Sequence, residues 1–203
     1  ATGEQVTLRF AASGTLAQQL ANGAPDTLFL SADAALVDRL VAAGLTMGKG
    51  RVYATGRLAL VSPPSAPLAD LAGLGRALAA GRVQHLAIAN PLTAPYGARA
   101  QEALFASGIL PGWQARLVRG ENVAQALQYV ASGNSEAGVV SAALVHDGRA
   151  GVAVALLPAR LHSPLRQSLV LMRGAGPVAQ RFAAFILSPA GQKMLAQYGF
   201  ERP

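Results

Sequence analysis

Short apolar runs with strand character alternate with longer runs whose apolar residues recur every three or four positions, and this rhythm persists along most of the chain. QVTLRFA precedes TLAQQLANG, TLFLS precedes AALVDRLVAAG, and RLALVSP precedes LADLAGLGRALAAG. The second half repeats the scheme with HLAIAN and YGARAQEALFASG, ARLVRG and NVAQALQYVASG, then AGVVSAALV, GVAVALLP and QSLVLM, before a last helix expected from Val178 to Gln197. Such an order predicts an α/β architecture with mainly parallel strands, because each helix carries the chain back to start the next strand. Five helical runs stop at Gly23, Gly44, Gly81, Gly108 and Gly133, as expected where a helix ends in left-handed backbone. Two extended stretches, RVYATGRLALVSPPSAP and LHSPLRQSLVLM, break the rhythm and predict crossovers. They divide the chain into one lobe made from both ends, residues 1–56 with 166–203, and a second lobe of residues 57–165, leaving a cleft between.

Bulk properties narrow the function. A chain of 203 residues, 52% hydrophobic and only 13% charged, has the composition of an ordered protein with a sizeable core. No apolar run reaches the ~18 residues of a membrane span. The opening ATGEQVTLRF carries no basic stretch leading into an apolar one, so no secretory signal peptide is read in it. With no cysteine there is no disulfide, thiolate metal site or cysteine nucleophile. The net charge of +7 raises nucleic acid as a partner, but the arginines are scattered from Arg9 to Arg202 without a basic run or interleaved aromatics. We therefore expect no nucleic-acid partner.

Three strand-to-helix corners are alike. The first is FAASGTLAQQL around Ser13; the second is AIANPLTAPYGARAQEAL, where Pro95-Tyr96-Gly97 opens a helix and the glycine is expected to admit a ligand close to the backbone. The third is LVRGENVAQAL, where Asn122 caps and Val123 offers a first-turn N–H. In open α/β sheets ligands bind beyond the carboxyl ends of strands, at helix N-termini with unpaired N–H groups and a positive dipole end. Any one of these corners is also an ordinary helix cap. Together, and contributed by both lobes, they read as one anion site built of donors. Backbone N–H groups only donate, so a protonated anion such as hydrogen phosphate would leave its own O–H without an acceptor, and a fully deprotonated tetrahedral dianion is the better match. At roughly 1.5–3 kcal/mol per charge-assisted bond, about five donors suffice for the about −8 kcal/mol of micromolar binding.

At these residues the sequence resembles the periplasmic molybdate-binding proteins of bacterial ABC transporters. The carrying stretches are TGEQVTLRFAASGTLAQQLANGAPDTLFLSAD, ATGRLALVSP, HLAIANPLTAPYGARAQEAL, GENVAQALQYVASGNSEAGVV and LSPAGQKMLAQYGF, which together run through nearly the whole chain. The resemblance implies a two-lobed periplasmic binding protein of type II-like fold, a molybdate or tungstate ligand, no cofactor, no metal ion held directly by side chains, and no enzymatic activity. It also implies a membrane permease as partner, a periplasmic location and a monomeric chain. Carried onto this sequence, Ser13 supplies a hydroxyl and an N–H, Tyr96 an N–H, and Val123 an N–H. A sulfate or other oxyanion binder, and the ligand-sensing domain of a transcription regulator, are the alternatives.

The sequence departs from the family in two places. The family normally starts with one more strand and helix, whose corner gives another ligand hydroxyl or amide; the sequence here begins just before the second strand. We expect the chain to be incomplete, because a sheet deprived of an internal strand exposes apolar surface and unpaired edge groups. We also expect it to bind more weakly than a version carrying that unit. Some relatives place a tyrosine hydroxyl on the ligand after the GVV strand, where this chain reads Val139-Val140-Ser141.

Other signals are structural. GNSEAG resembles a nucleophile elbow, but it lies between a helix and a strand, the reverse of the order that motif needs. His85, His146 and His162 show neither zinc spacing nor a local triad. GLGRALAAG reads as a helix rather than a dinucleotide loop. Asp33 is expected to cap the helix DAALVDRL rather than face an anion, the phenol of Tyr96 to pack or to reach the site, and Phe182, Phe185 and Ile186 to be core by their helical spacing.

Overall fold

The structure is a computed structural model that describes residues 5–203. In chain order it runs α1 (Ser13–Ala21), β1 (Leu28–Ser31), α2 (Ala34–Ala42), β2 (Arg51–Gly56), β3 (Leu58–Ser62), α3 (Leu71–Ala79), β4 (Leu86–Ala89), α4 (Pro95–Ala106), α5 (Leu110–Trp113), β5 (Leu117–Gly120), α6 (Val123–Ala131), β6 (Ala137–Ser141), β7 (Ala153–Leu156), β8 (Leu165–Leu171), α7 (Pro177–Leu187) and α8 (Pro189–Gln197). The strands form two sheets, one ordered β1-β8-β2 and one ordered β5-β4-β6-β3-β7.

The larger sheet is covered on both faces, which is why its inner strands are buried at every position and mostly apolar. Alternate residues divide between the two sides. Leu58, Leu60, Leu86 and Ile88 pack with Leu74 and Leu78 of α3 and with Ala100, Ala103 and Leu104 of α4, while Ala59, Val61 and Ala87 face Ala126 and Val130 of α6. In α3 the buried residues Leu71, Leu74 and Leu78 follow the i, i+3, i+7 spacing of a helix with one apolar face. The smaller sheet repeats the plan with fewer strands. Phe29, Val170 and Met172 meet α1 and α2, and Tyr53, Ala54 and Leu169 meet α7 and α8.

Several local expectations hold. The backbone has φ of 88° at Gly23, 69° at Gly44, 70° at Gly81, 74° at Gly108 and 77° at Gly133, each just past a helix end. Asp33 caps α2 by accepting from the Ala35 N–H at 2.9 Å.

Four expectations need correction. QVTLRFA is not a strand: residues 5–10 are irregular and exposed, and no backbone hydrogen bond among the described residues ties them to a strand. The parallel arrangement holds for β5-β4-β6, but the smaller sheet is antiparallel throughout, and β3 also pairs antiparallel with β6 and β7. The reason in the smaller sheet is the pair of crossings. β2 leaves it at Gly56 beside the point where β8 enters at Leu165, so the two must run in opposite directions. The last helix is two helices, since the residue before Pro189 is pushed to extended backbone; Ser188 has ψ of 161° and its hydroxyl caps α8 by accepting from the Gly191 N–H. Finally, Ile186 is core and Phe182 is half-buried, but Phe185 is 43% exposed beside an open cleft.

Candidate functional site

Helix N-termini leave their first N–H groups without intrahelical acceptors, and the three corners bring three such ends together. The N-cap of α1 is Ala12 and that of α4 is Ala94, neither with a side-chain cap, so nothing on their own side chains competes for those donors. In α6 the Asn122 carbonyl oxygen of the side chain accepts from Ala124 and Gln125, each at 3.0 Å, so the cap serves the second and third N–H groups and passes over Val123.

The corners touch. Ala12 packs in one apolar cluster with Ala89, Ala94 and Val123, so the N-cap of α1, a helix packed on the smaller sheet, meets the starts of α4 and α6, which pack on the larger one. The Gly14 N–H donates to the Thr93 carbonyl at 2.8 Å, directly across from the first corner to the second. Glycine is required there, because a Cβ would come 2.6 Å from that carbonyl oxygen. The second and third corners are tied by the Asn90 N–H donating to Gly120 at 2.7 Å.

Ser13 lies at the first position of α1 and is buried. Its hydroxyl oxygen accepts from the Ala32 N–H at 3.1 Å. Because the oxygen is thereby used as acceptor, the hydroxyl proton remains for donation to an anion. Tyr96 is the second residue of α4 and Val123 the first of α6, so both present first-turn N–H groups near the shared cluster. Gly97 plays a different part from the one expected. A Cβ there would lie 2.1 Å from the Ala89 carbonyl oxygen, so the glycine lets α4 close onto the end of β4 rather than admitting a ligand.

The phenol of Tyr96 points away from this cluster into the contact between the two sheets. Gln167 Nε2 donates to its oxygen over a long 3.4 Å, and the Ser141 hydroxyl is a second partner. Burial pushes the phenol pKa up to about 12, against the lowering effect of those two hydrogen bonds, so it is neutral at physiological pH. Thr93 and Gln167 were not legible as parts of this region, whereas Ser141 was met only as the residue standing where some relatives carry a ligand tyrosine. For Thr93 the sequence signal was the PLTAP turn, which marks a loop without saying what it touches. Among the described residues no three His, Asp or Glu side chains gather into a metal site.

Two sheets, each flanked by helices and joined by paired crossings, with helix N-termini gathered where they meet, define a solute-binding protein of the α/β class. The chain belongs to the bacterial extracellular solute-binding proteins: the model of that family matches residues 1–201. The molybdate-binding protein ModA of Azotobacter vinelandii is 36% identical over 204 residues, covering 98% of this chain and 80% of the relative. ModA of Rhodobacter capsulatus is 34% identical over 202 residues, covering 98% and 78%. Among solved structures, the A. vinelandii periplasmic molybdate-binding protein matches with a TM-score of 0.90 at 30% identity, covering 100% of this chain and 89% of that one. The resemblance and the fold class read from the sequence both hold.

Proposed function

We propose that this chain binds molybdate or tungstate between its two sheets and delivers it to the membrane permease of an ABC transporter. The observation that carries the reading is the meeting of the α1, α4 and α6 N-termini at Ala12, Ala94 and Val123. On this reading Ser13 donates its hydroxyl and N–H, and Tyr96 and Val123 donate main-chain N–H groups. A site of donors alone favours a dianion without protons of its own and disfavours hydrogen phosphate, whose O–H would be left unpaired. The lobes are residues 1–56 with 166–203 and residues 57–165, closing on the ligand about the crossings at Arg57 and ahead of Leu165. The protein acts in the periplasm as a monomer and carries out no covalent chemistry, which accords with a family of solute-binding proteins.

Calorimetric titration with molybdate, with sulfate and phosphate as controls, tests this directly. Heat of binding with molybdate and none with the controls is expected; a preference for sulfate would assign another oxyanion.

A further inference from the structure

We propose that Tyr96 is a relay, with its main-chain N–H at the anion site and its phenol seated on the strands where the chain crosses between the sheets. The inference rests on the molybdate-binding reading and extends it to how occupancy reaches the crossing strands. Tyr96 stands in the first turn of α4. Its side chain is buried in the core of the larger sheet, yet the phenol oxygen is held by Gln167 of β8 in the smaller sheet. The same oxygen lies against Gly56, the last residue of β2, where a Cβ would approach to 2.2 Å. Gly56 pairs with Leu165 in the ladder, and Gln167 Nε2 also donates to the Leu165 carbonyl at 3.3 Å. One residue therefore touches both strands that join the sheets and also carries a first-turn donor of the site.

A helix turn is stiff, so an anion that fixes the N–H end of Tyr96 restrains the ring attached to the same Cα. The ring then restrains β2 and β8 through the phenol. Without the hydroxyl, the donor at the site remains but the crossing strands no longer sense whether it is engaged. Tyr96 is thus a positioning residue through its side chain as well as a ligand donor through its backbone.

The test uses the whole chain with sodium molybdate, read by calorimetry and by hydrogen exchange with and without the anion. In the unaltered protein, molybdate should slow exchange in residues 51–56 and 165–171 as well as at the start of α4. Tyr96→Phe removes the bonds of the phenol to Gln167 and Ser141 and should weaken affinity about three- to tenfold or more, the scale of one to two buried hydrogen bonds. It should also abolish the molybdate-dependent protection in the two strands while keeping it at α4, a pattern that simple destabilisation does not produce. Gln167→Leu removes the partner from the other side and should have the same effect, and the double variant should be no worse than the weaker single one. Unchanged affinity and retained strand protection in Tyr96→Phe, or losses that multiply in the double variant, would overturn the relay alone. Absence of molybdate binding by the unaltered chain would overturn both the relay and the function on which it rests.

Discussion

The two sheets are built from similar residues but are finished differently. In the larger sheet β3, β4 and β6 are buried at every position, and helices cover both faces. In the smaller sheet β1 is an edge, and the irregular residues 5–10 face it across a cavity of about 680 Å³. A second, mainly apolar cleft of about 540 Å³ is lined by α7 and α8, by Leu30, Tyr53 and Gln167 of the smaller sheet and by Tyr96, Val123 and Ser141, and both openings share Leu30 and Phe182. Around them Val6, Leu8, Phe10, Phe185 and Met194 are exposed, Phe10 to 85%. The difference teaches that an apolar strand sequence does not make a strand. Without a paired backbone on either side, QVTLRFA has nowhere to place its N–H and C=O groups except in water.

The sharpest way to break this comparison is a pair of truncations. Ile88→Ala, in the centre of the larger sheet with no exposure, should cost about 2–5 kcal/mol in a urea melt. Leu30→Ala, 36% exposed at the open edge, should cost under about 1 kcal/mol. Equal losses would mean that the smaller sheet is as tightly packed as the larger. A middle-sized effect is expected from an apolar fluorescent dye. It should bind the native protein through the two openings, and replacing Phe10 and Phe185 by serine should remove most of that signal without lowering the unfolding midpoint by more than a few degrees. A dye signal untouched by both changes would place the exposed apolar surface elsewhere.

The smallest effect concerns the junction between the regions. Arg57, the single residue between β2 and β3, donates to the Leu157 carbonyl at 3.0 Å and pairs with Glu201, which is itself bridged to Thr55. Glu201 is half-exposed, so Glu201→Gln should cost less than about 1 kcal/mol and the loss should fade with added salt. A large, salt-independent loss would make this pair a structural pin of the crossing rather than a surface ion pair.

Much of this molecule was readable from residues close together in the chain. The alternation of runs past Ser13, the glycine stops and the Asp33 and Asn122 caps all depend on interactions spanning a few residues, and each is found in the structure. The break between α7 and α8 belonged to this class too. Ser188-Pro189 announced it, and the continuous apolar spacing on either side obscured it.

By itself, then, the sequence determined most of the helical segments, their glycine stops and their side-chain caps, because capping, glycine backbone and proline geometry are local. The tertiary structure decided that β8 returns antiparallel beside β2, that Gly97 serves helix packing, that Ala12 meets Ala94 and Val123, and that the Tyr96 phenol reaches Gln167. Those outcomes join residues dozens of positions apart. They depend on which surfaces remain to be buried once the local elements have formed, and no short-range pattern records that.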